Sequence, residues 1–139
     1  MKEKHSQFII VGGGIAGSIA AYVCSRLKRK TIWFCQKKEP LQGAIQIPPN
    51  SIKFLKNIGC FDILKTFLNQ ISLIRVRDQN FKQDLSSINV DQKYFTIDRK
   101  SLFLSIKEKI ESNTNVKIID EKIISFSSND SECRCTSSS

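Results

Sequence analysis

Three glycines, Gly12, Gly14 and Gly17, stand at the spacing G-x-G-x-x-G directly after four apolar residues, Phe8, Ile9, Ile10 and Val11. The chemistry this pattern can perform is the holding of a diphosphate. The first glycine makes a tight turn, the second lets the backbone approach a pyrophosphate, and the third lets helix and strand pack closely. Amides at the start of the following helix, backed by the positive end of its dipole, then face the phosphates. Ile15 and Ala16 contribute such amides and join the three glycines as candidate binding residues. The spacing alone is weak evidence; its position between an apolar strand and a helical pattern strengthens it.

A competing reading treats the same stretch as a signal peptide, because Lys2 and Lys4 precede an apolar run from Phe8 to Cys24. That run holds four glycines (Gly12, Gly13, Gly14, Gly17), contains no leucine and leads into a second strand. It is also shorter than the roughly 20 residues that a membrane span needs. Contact with a membrane is therefore expected to be peripheral at most.

The elements that position the turn follow from periodicity. A helix is expected over Ile15–Arg29, with Ile15, Ile19, Val23 and Leu27 as one stripe at four-residue steps and with Gly17, Ala20 and Ala21 keeping its neighbouring surface small. Thr31–Cys35 (TIWFC) is β-branched and aromatic and reads as a second buried strand, which completes a βαβ unit of about 30 residues. Such units place an Asp or Glu at the end of the second strand to bind the adenosine ribose. Here the residues are Gln36, Lys37, Lys38 and Glu39. Gln36 can accept the same hydrogen bond without the charge, Glu39 stays open as the acceptor, and the two lysines would suit the 2′-phosphate of NADP.

Further on, Pro48 and Pro49 punctuate the chain and Asn50 is placed to cap a helix whose face is Ile52, Leu55 and Ile58, with Gly59 at its end. A second apolar helix is expected over Phe61–Asn69. Ile71–Arg77 alternates apolar and polar residues, and Phe81–Ile88 runs back after Asp78-Gln79-Asn80, so an antiparallel hairpin is expected. A helix follows Arg99, with Leu102, Ile106 and Ile110 on one face and Asp98 or Ser101 as its cap. Val116–Ile119 reads as the third parallel strand and Ile123–Phe126 as a fourth. The fold class implied is α/β: a Rossmann-like βαβ dinucleotide-binding fold, an incomplete parallel sheet with an inserted hairpin.

Several of these pieces, in this order, resemble FAD-dependent monooxygenases of the flavoprotein aromatic hydroxylase and ubiquinone-biosynthesis hydroxylase type. The likeness rests on FIIVGGGIAG, on Gln36-Lys37 where that family has Glu-Lys or Glu-Arg, on GAIQIPPN with its Leu-x-x-x-Gly helix end, and on IDRKSLFL, similar to the family's Arg-x-x-Leu helix start. It covers about residues 7–126. The resemblance implies that FAD is the cofactor, with Gln36 and Lys37 at its ribose and Arg99 beside it, and that NAD(P)H and O2 serve the hydroxylation of an aromatic or polyprenyl-phenol ring. The chain departs from the family in having Gln42-Gly43-Ala44-Ile45 for Gly-Ala-Gly-Ile. It also lacks counterparts of the later Asp-Gly and Gly-Asp motifs and of the substrate domain. Residues 1–126 would then be the N-terminal part of an FAD-binding domain, and the abrupt change to Ser-rich sequence resembles a truncated or frame-shifted product. An NAD(P)-binding reductase module and a non-catalytic remnant are the alternatives.

Composition narrows the remaining classes. At 139 residues the chain suits one domain, and its 40% hydrophobic content suits a globular core. The net charge of +9 comes from lysines spread through the whole chain, which reads as a solvated surface and not as a nucleic-acid interface. Five irregularly spaced cysteines imply reduced thiols and a cytoplasmic setting. His5 is the one histidine, so no catalytic triad or metal centre is expected. Tyr22, Tyr94 and Trp33 read as packing residues. Ser127–Ser139 has no apolar residue beyond Cys133 and Cys135 and is expected to be a disordered tail. With later strands absent, Phe8–Val11 would form an open apolar edge that invites self-association or a partner.

Overall fold

A computed structural model describes residues 5–36 and 42–138, without the side chains of Asp91 and Gln92. In chain order its elements are β1 (Phe8–Val11), α1 (Ile15–Arg26), β2 (Thr31–Phe34), β3 (Ala44–Ile47), α2 (Pro49–Asn57), α3 (Phe61–Leu64), β4 (Asn69–Arg77), β5 (Asp84–Asp98), α4 (Arg99–Glu111), β6 (Val116–Ile119), β7 (Ile123–Ser128) and β8 (Cys133–Ser137). The chain divides into two compact units: Met1–Pro40 with Phe103–Ser139, and Leu41–Leu102.

The first unit carries a parallel sheet in the order β1-β2-β6. Phe8 stands opposite Thr31 and Thr31 opposite Val116, so the three strands run in step. The sequence-expected βαβ unit is present as β1, α1 and β2. β1 is an edge strand of this sheet, with Phe8 48% and Val11 56% exposed. Beneath it, Trp33 is wholly buried and meets the Phe103 ring edge-on at 6.2 Å.

Helix α1 turns a different face inward from the one its isoleucines suggest. Its buried residues are Ser18, Ala21, Tyr22 and Ser25, whereas Ile15, Ile19 and Val23 are half-buried and Leu27 is exposed. Small residues at i, i+3 and i+7 (Ser18, Ala21 and Ser25) let the helix axis approach the sheet, and close approach outweighs the larger side chains. The helix also stops at Arg26 rather than Arg29. Lys28 takes φ 53, its N–H donates to the Ser25 carbonyl at 3.1 Å, and Arg29 N–H donates to that of Cys24 at 2.9 Å. That pair of bonds is a Schellman ending with a lysine in the left-handed position.

Two expectations for the C-terminal stretch are corrected. Ile123–Phe126 does not add a fourth parallel strand; as part of β7 it pairs antiparallel with β8 in a separate two-stranded sheet. The segment from Ser127, expected to be without order, forms the second half of that hairpin. Asn129 explains the turn: its side-chain oxygen accepts the N–H groups of Ser131 and Glu132, both at 2.9 Å. This Asx-type geometry lets a polar sequence turn back on hydrogen bonds where apolar burial is lacking.

In the second unit β5 is central, flanked by β3 and β4, all antiparallel. The stretch around Ala44, to which the sequence assigns no element, is strand β3. Tyr94 lies across from it and donates its hydroxyl to the Gln46 side chain at 2.8 Å. The hairpin of β4 and β5 matches the sequence reading, though β5 runs on to Asp98. Pro48, not Asn50, takes the N-cap of α2, because Pro49 at the first helical position has no N–H to satisfy. Ile52 and Leu55 are buried as expected, and Gly59 (φ 69) ends the helix. The helix expected over Phe61–Asn69 is shorter: α3, a 3-10 turn at Lys65–Phe67, and then β4. Along α4 the expected face of Leu102, Ile106 and Ile110 is buried. Asp98 is its cap, accepting the Ser101 N–H at 2.8 Å and the Ser101 hydroxyl at 3.0 Å.

Candidate functional site

β1 delivers the chain to the glycine turn and α1 leads away from it. Gly12 takes φ +122, a conformation that a side chain disfavours, so the first glycine is there for the turn itself. Its N–H donates to the Phe34 carbonyl at 3.0 Å and its carbonyl accepts from Trp33 Nε1 at 2.8 Å. The turn is therefore tied to β2 by both ends of one residue.

The other glycines have separate reasons. A Cβ on Gly14 would project into open space, with no atom within 4 Å, so the backbone there is approachable from outside. A Cβ on Gly17 would collide with the Gly12 carbonyl oxygen and lie 3.3 Å from Trp33 Nε1. Gly13, which the motif leaves free, is also constrained: a Cβ there would stand 3.0 Å from the Cys35 sulfur. The sequence reading missed Gly13 and Trp33. A buried indole must find an acceptor for its N–H, and that requirement was the available signal for Trp33.

Gly14 is the N-cap of α1, with no side-chain cap and no acidic residue in the first turn. The amides of Ile15, Ala16 and Gly17 have no acceptor four residues back. They form an uncapped, electropositive helix start, on which no acidic residue of the first turn competes with an incoming anion. Burial pushes the Cys35 thiol up, with Lys107 pulling the opposite way and Asp120 and Glu111 adding to the rise. The thiol beside Gly13 therefore stays neutral at physiological pH and places no negative charge at the turn.

The structure thus brings Gly12, Gly14, Ile15, Ala16 and Gly17 together in one turn. Gln36 lies two residues beyond β2 and is exposed. Lys37, with Lys38 and Glu39, lies outside the described residues. Arg99 belongs to the second unit, where it opens α4. Its N–H donates to the Gly43 carbonyl at 3.0 Å, while its side-chain Nε is buried without a hydrogen-bond partner among the described residues. Among the described residues no group of three or more His, Cys, Asp or Glu side chains could hold a metal, and no helix is long and apolar enough to cross a membrane.

No protein-family model matches the chain. Over 73 residues, 51% of its length, it is 32% identical to the FAD-dependent monooxygenase pynG of Aspergillus niger, and the match covers 17% of that protein. Among solved structures, p-nitrophenol 4-monooxygenase PnpA from Pseudomonas putida superposes with a TM-score of 0.82 at 16% identity, over 99% of this chain and 37% of that one. The chain has the fold of the flavin-dependent monooxygenases. The monooxygenase PieE, solved with FAD and substrate, superposes at 0.80 and 12% identity, over 97% of this chain and 27% of its own. PqsL of Pseudomonas aeruginosa, solved with 2-aminobenzoylacetate, gives 0.73 at 21% identity, over 91% and 36%. The family resemblance read from FIIVGGGIAG and IDRKSLFL is borne out. The chain spans between 27% and 37% of the length of these solved monooxygenases.

Proposed function

We propose that this chain holds the adenosine diphosphate half of FAD on a Rossmann-like turn and serves a flavin-dependent monooxygenase. The observation that carries the reading is the uncapped start of α1 behind a glycine turn whose Gly14 faces open space. Backbone amides of Gly14, Ile15, Ala16 and Gly17 would hold the diphosphate, and Gln36 would accept a hydrogen bond from the ribose. Arg99 fits a second role: its orphaned Nε is a buried donor in need of an acceptor, which the cofactor's oxygens could provide. A bound flavin would supply the redox chemistry, being reduced by NAD(P)H and reacting with O2.

In this reading the residues of this chain bind and orient the cofactor. An aromatic or polyprenyl-phenol substrate is the class we propose for the whole protein, in keeping with the p-nitrophenol in the name of one similar enzyme and the 2-aminobenzoylacetate bound to another. The uncharged Gln36 at the strand end favours a second reading, an NAD(P)-binding module. Titration calorimetry with FAD, ADP and NADP separates the two. FAD and ADP binding with weak or no NADP binding is expected; NADP binding without FAD would favour the reductase module, and binding of none of them would leave a non-catalytic remnant. The open β1 edge supports self-association or a partner strand, which sedimentation at increasing concentration would register as a rising mass.

A further inference from the structure

The chain has one tryptophan, and it sits fully buried in the second strand with its N–H turned to the glycine turn. Packing does not require that donor: the edge-on contact with Phe103 needs only an aromatic ring. The bond goes to the carbonyl of Gly12, the first of three successive glycines. A peptide group flanked by glycines rotates at little steric cost, so Gly12–Gly13 has more than one accessible orientation. In a trans peptide the C=O and the following N–H point in opposite directions. With the Gly12 oxygen drawn inward against Trp33, the Gly13 N–H points toward the exposed side. A flip would reverse this and put the negative end of the carbonyl dipole where an anion must approach.

We propose that Trp33 is a positioning residue for diphosphate binding, its indole N–H fixing the Gly12–Gly13 peptide with amide rather than carbonyl toward the phosphates. The inference rests on the reading of this turn as a diphosphate site. Gly17 completes the arrangement by leaving room for the same oxygen, since any side chain there would displace it. Helix start and indole then act together: one supplies the donors and the other prevents an acceptor from facing the ligand.

Because Trp33 is the one tryptophan, analogue incorporation changes this position alone. Replacing it with β-(benzothiophen-3-yl)alanine keeps the ring shape and removes the N–H; 7-azatryptophan keeps the N–H and serves as the rescue. ADP affinity is read by calorimetry at a temperature where all forms are fully folded. The benzothienyl form is expected to bind ADP about threefold to tenfold more weakly, with the azatryptophan form within about twofold of the unmodified chain. Amide exchange at Gly13 should also change in the benzothienyl form alone. If the analogue does not fold, W33F, which retains a ring against Phe103, carries the same expectation. Equal ADP affinity in unmodified and donor-less forms would overturn the role of Trp33 while leaving the diphosphate site standing. An unmodified chain that binds no ADP would overturn the site and the role together.

Discussion

The Gly12 carbonyl oxygen occupies the space in which a side chain on Gly17 would stand. Helix α1 can therefore start where it does only while residue 17 has no Cβ. Gly17→Ala is expected to push the helix off the turn, costing about 1–3 kcal/mol as overpacking does. ADP affinity should fall with it. Gly14→Ala is the counterpart: its Cβ meets nothing, so urea midpoints should change by little while ADP binding is lost. Urea titration and calorimetry on both variants check the pair. A Gly14→Ala chain that binds ADP normally would remove the turn from the site.

Lys28 offers a stabilising change away from the site. It holds φ 53 at the end of α1, a conformation that costs an L-residue about 1–2 kcal/mol and glycine almost nothing. Part of that gain is returned through the more flexible unfolded chain. Lys28→Gly is expected to raise unfolding stability by about 0.5–1 kcal/mol net, read as a higher urea midpoint at unchanged slope.

How far the sequence could carry these conclusions depends on what each segment relies on. FIIVGGGIAG was legible because turn, strand and helix start all demand particular residue types within ten positions. The α4 face was legible because Leu102, Ile106 and Ile110 repeat at helical spacing and nothing competes with them. On α1 the rule failed: apolar size pointed to Ile15, Ile19 and Val23, but the distance between helix and sheet is set by Ser18, Ala21 and Ser25. Strand β3 and the β7–β8 hairpin were missed for a related reason. Their order comes from hydrogen bonds with partners distant in sequence, or from one Asx turn at Asn129, and neither leaves a periodic apolar pattern. Trp33 looked like packing because its ring is buried; its donor shows its use only once Gly12 is seen above it.

Cys60 links stability to alkaline pH. It is wholly buried, and burial pushes its thiol from 9.0 up to about 11. The unfolded chain releases this proton near pH 9, while the folded chain keeps it until about pH 11. Stability from the neutral thiol is therefore whole below pH 9 and is lost as pH rises from 9 to 11, by on the order of 2 kcal/mol. Urea midpoints across that range should fall, and Cys60→Ala should flatten the part of the slope due to this group. At neutral pH a thiol reagent should label the exposed Cys133 first and Cys60 last.

Arg99 offers a separate test of the proposed cofactor. Its Nε–H is buried with no acceptor among the described residues, a state that costs a folded chain about 1–3 kcal/mol unless a partner arrives. Arg99→Met keeps a long apolar stem and removes the orphaned donor. Without ligand, this variant is expected to be as stable as the parent or more stable by about 1 kcal/mol. With FAD the order should invert, because the parent gains an acceptor for Nε and the variant cannot; its FAD affinity should drop by roughly tenfold, the cost of one charge-assisted hydrogen bond. ADP affinity, which draws on the glycine turn and Gln36 and not on Arg99, should stay within about twofold. Thermal melts with and without FAD, alongside an ADP titration, test all three statements. Loss of ADP and FAD binding in equal measure would place Arg99 in the folding of the chain instead of at its cofactor.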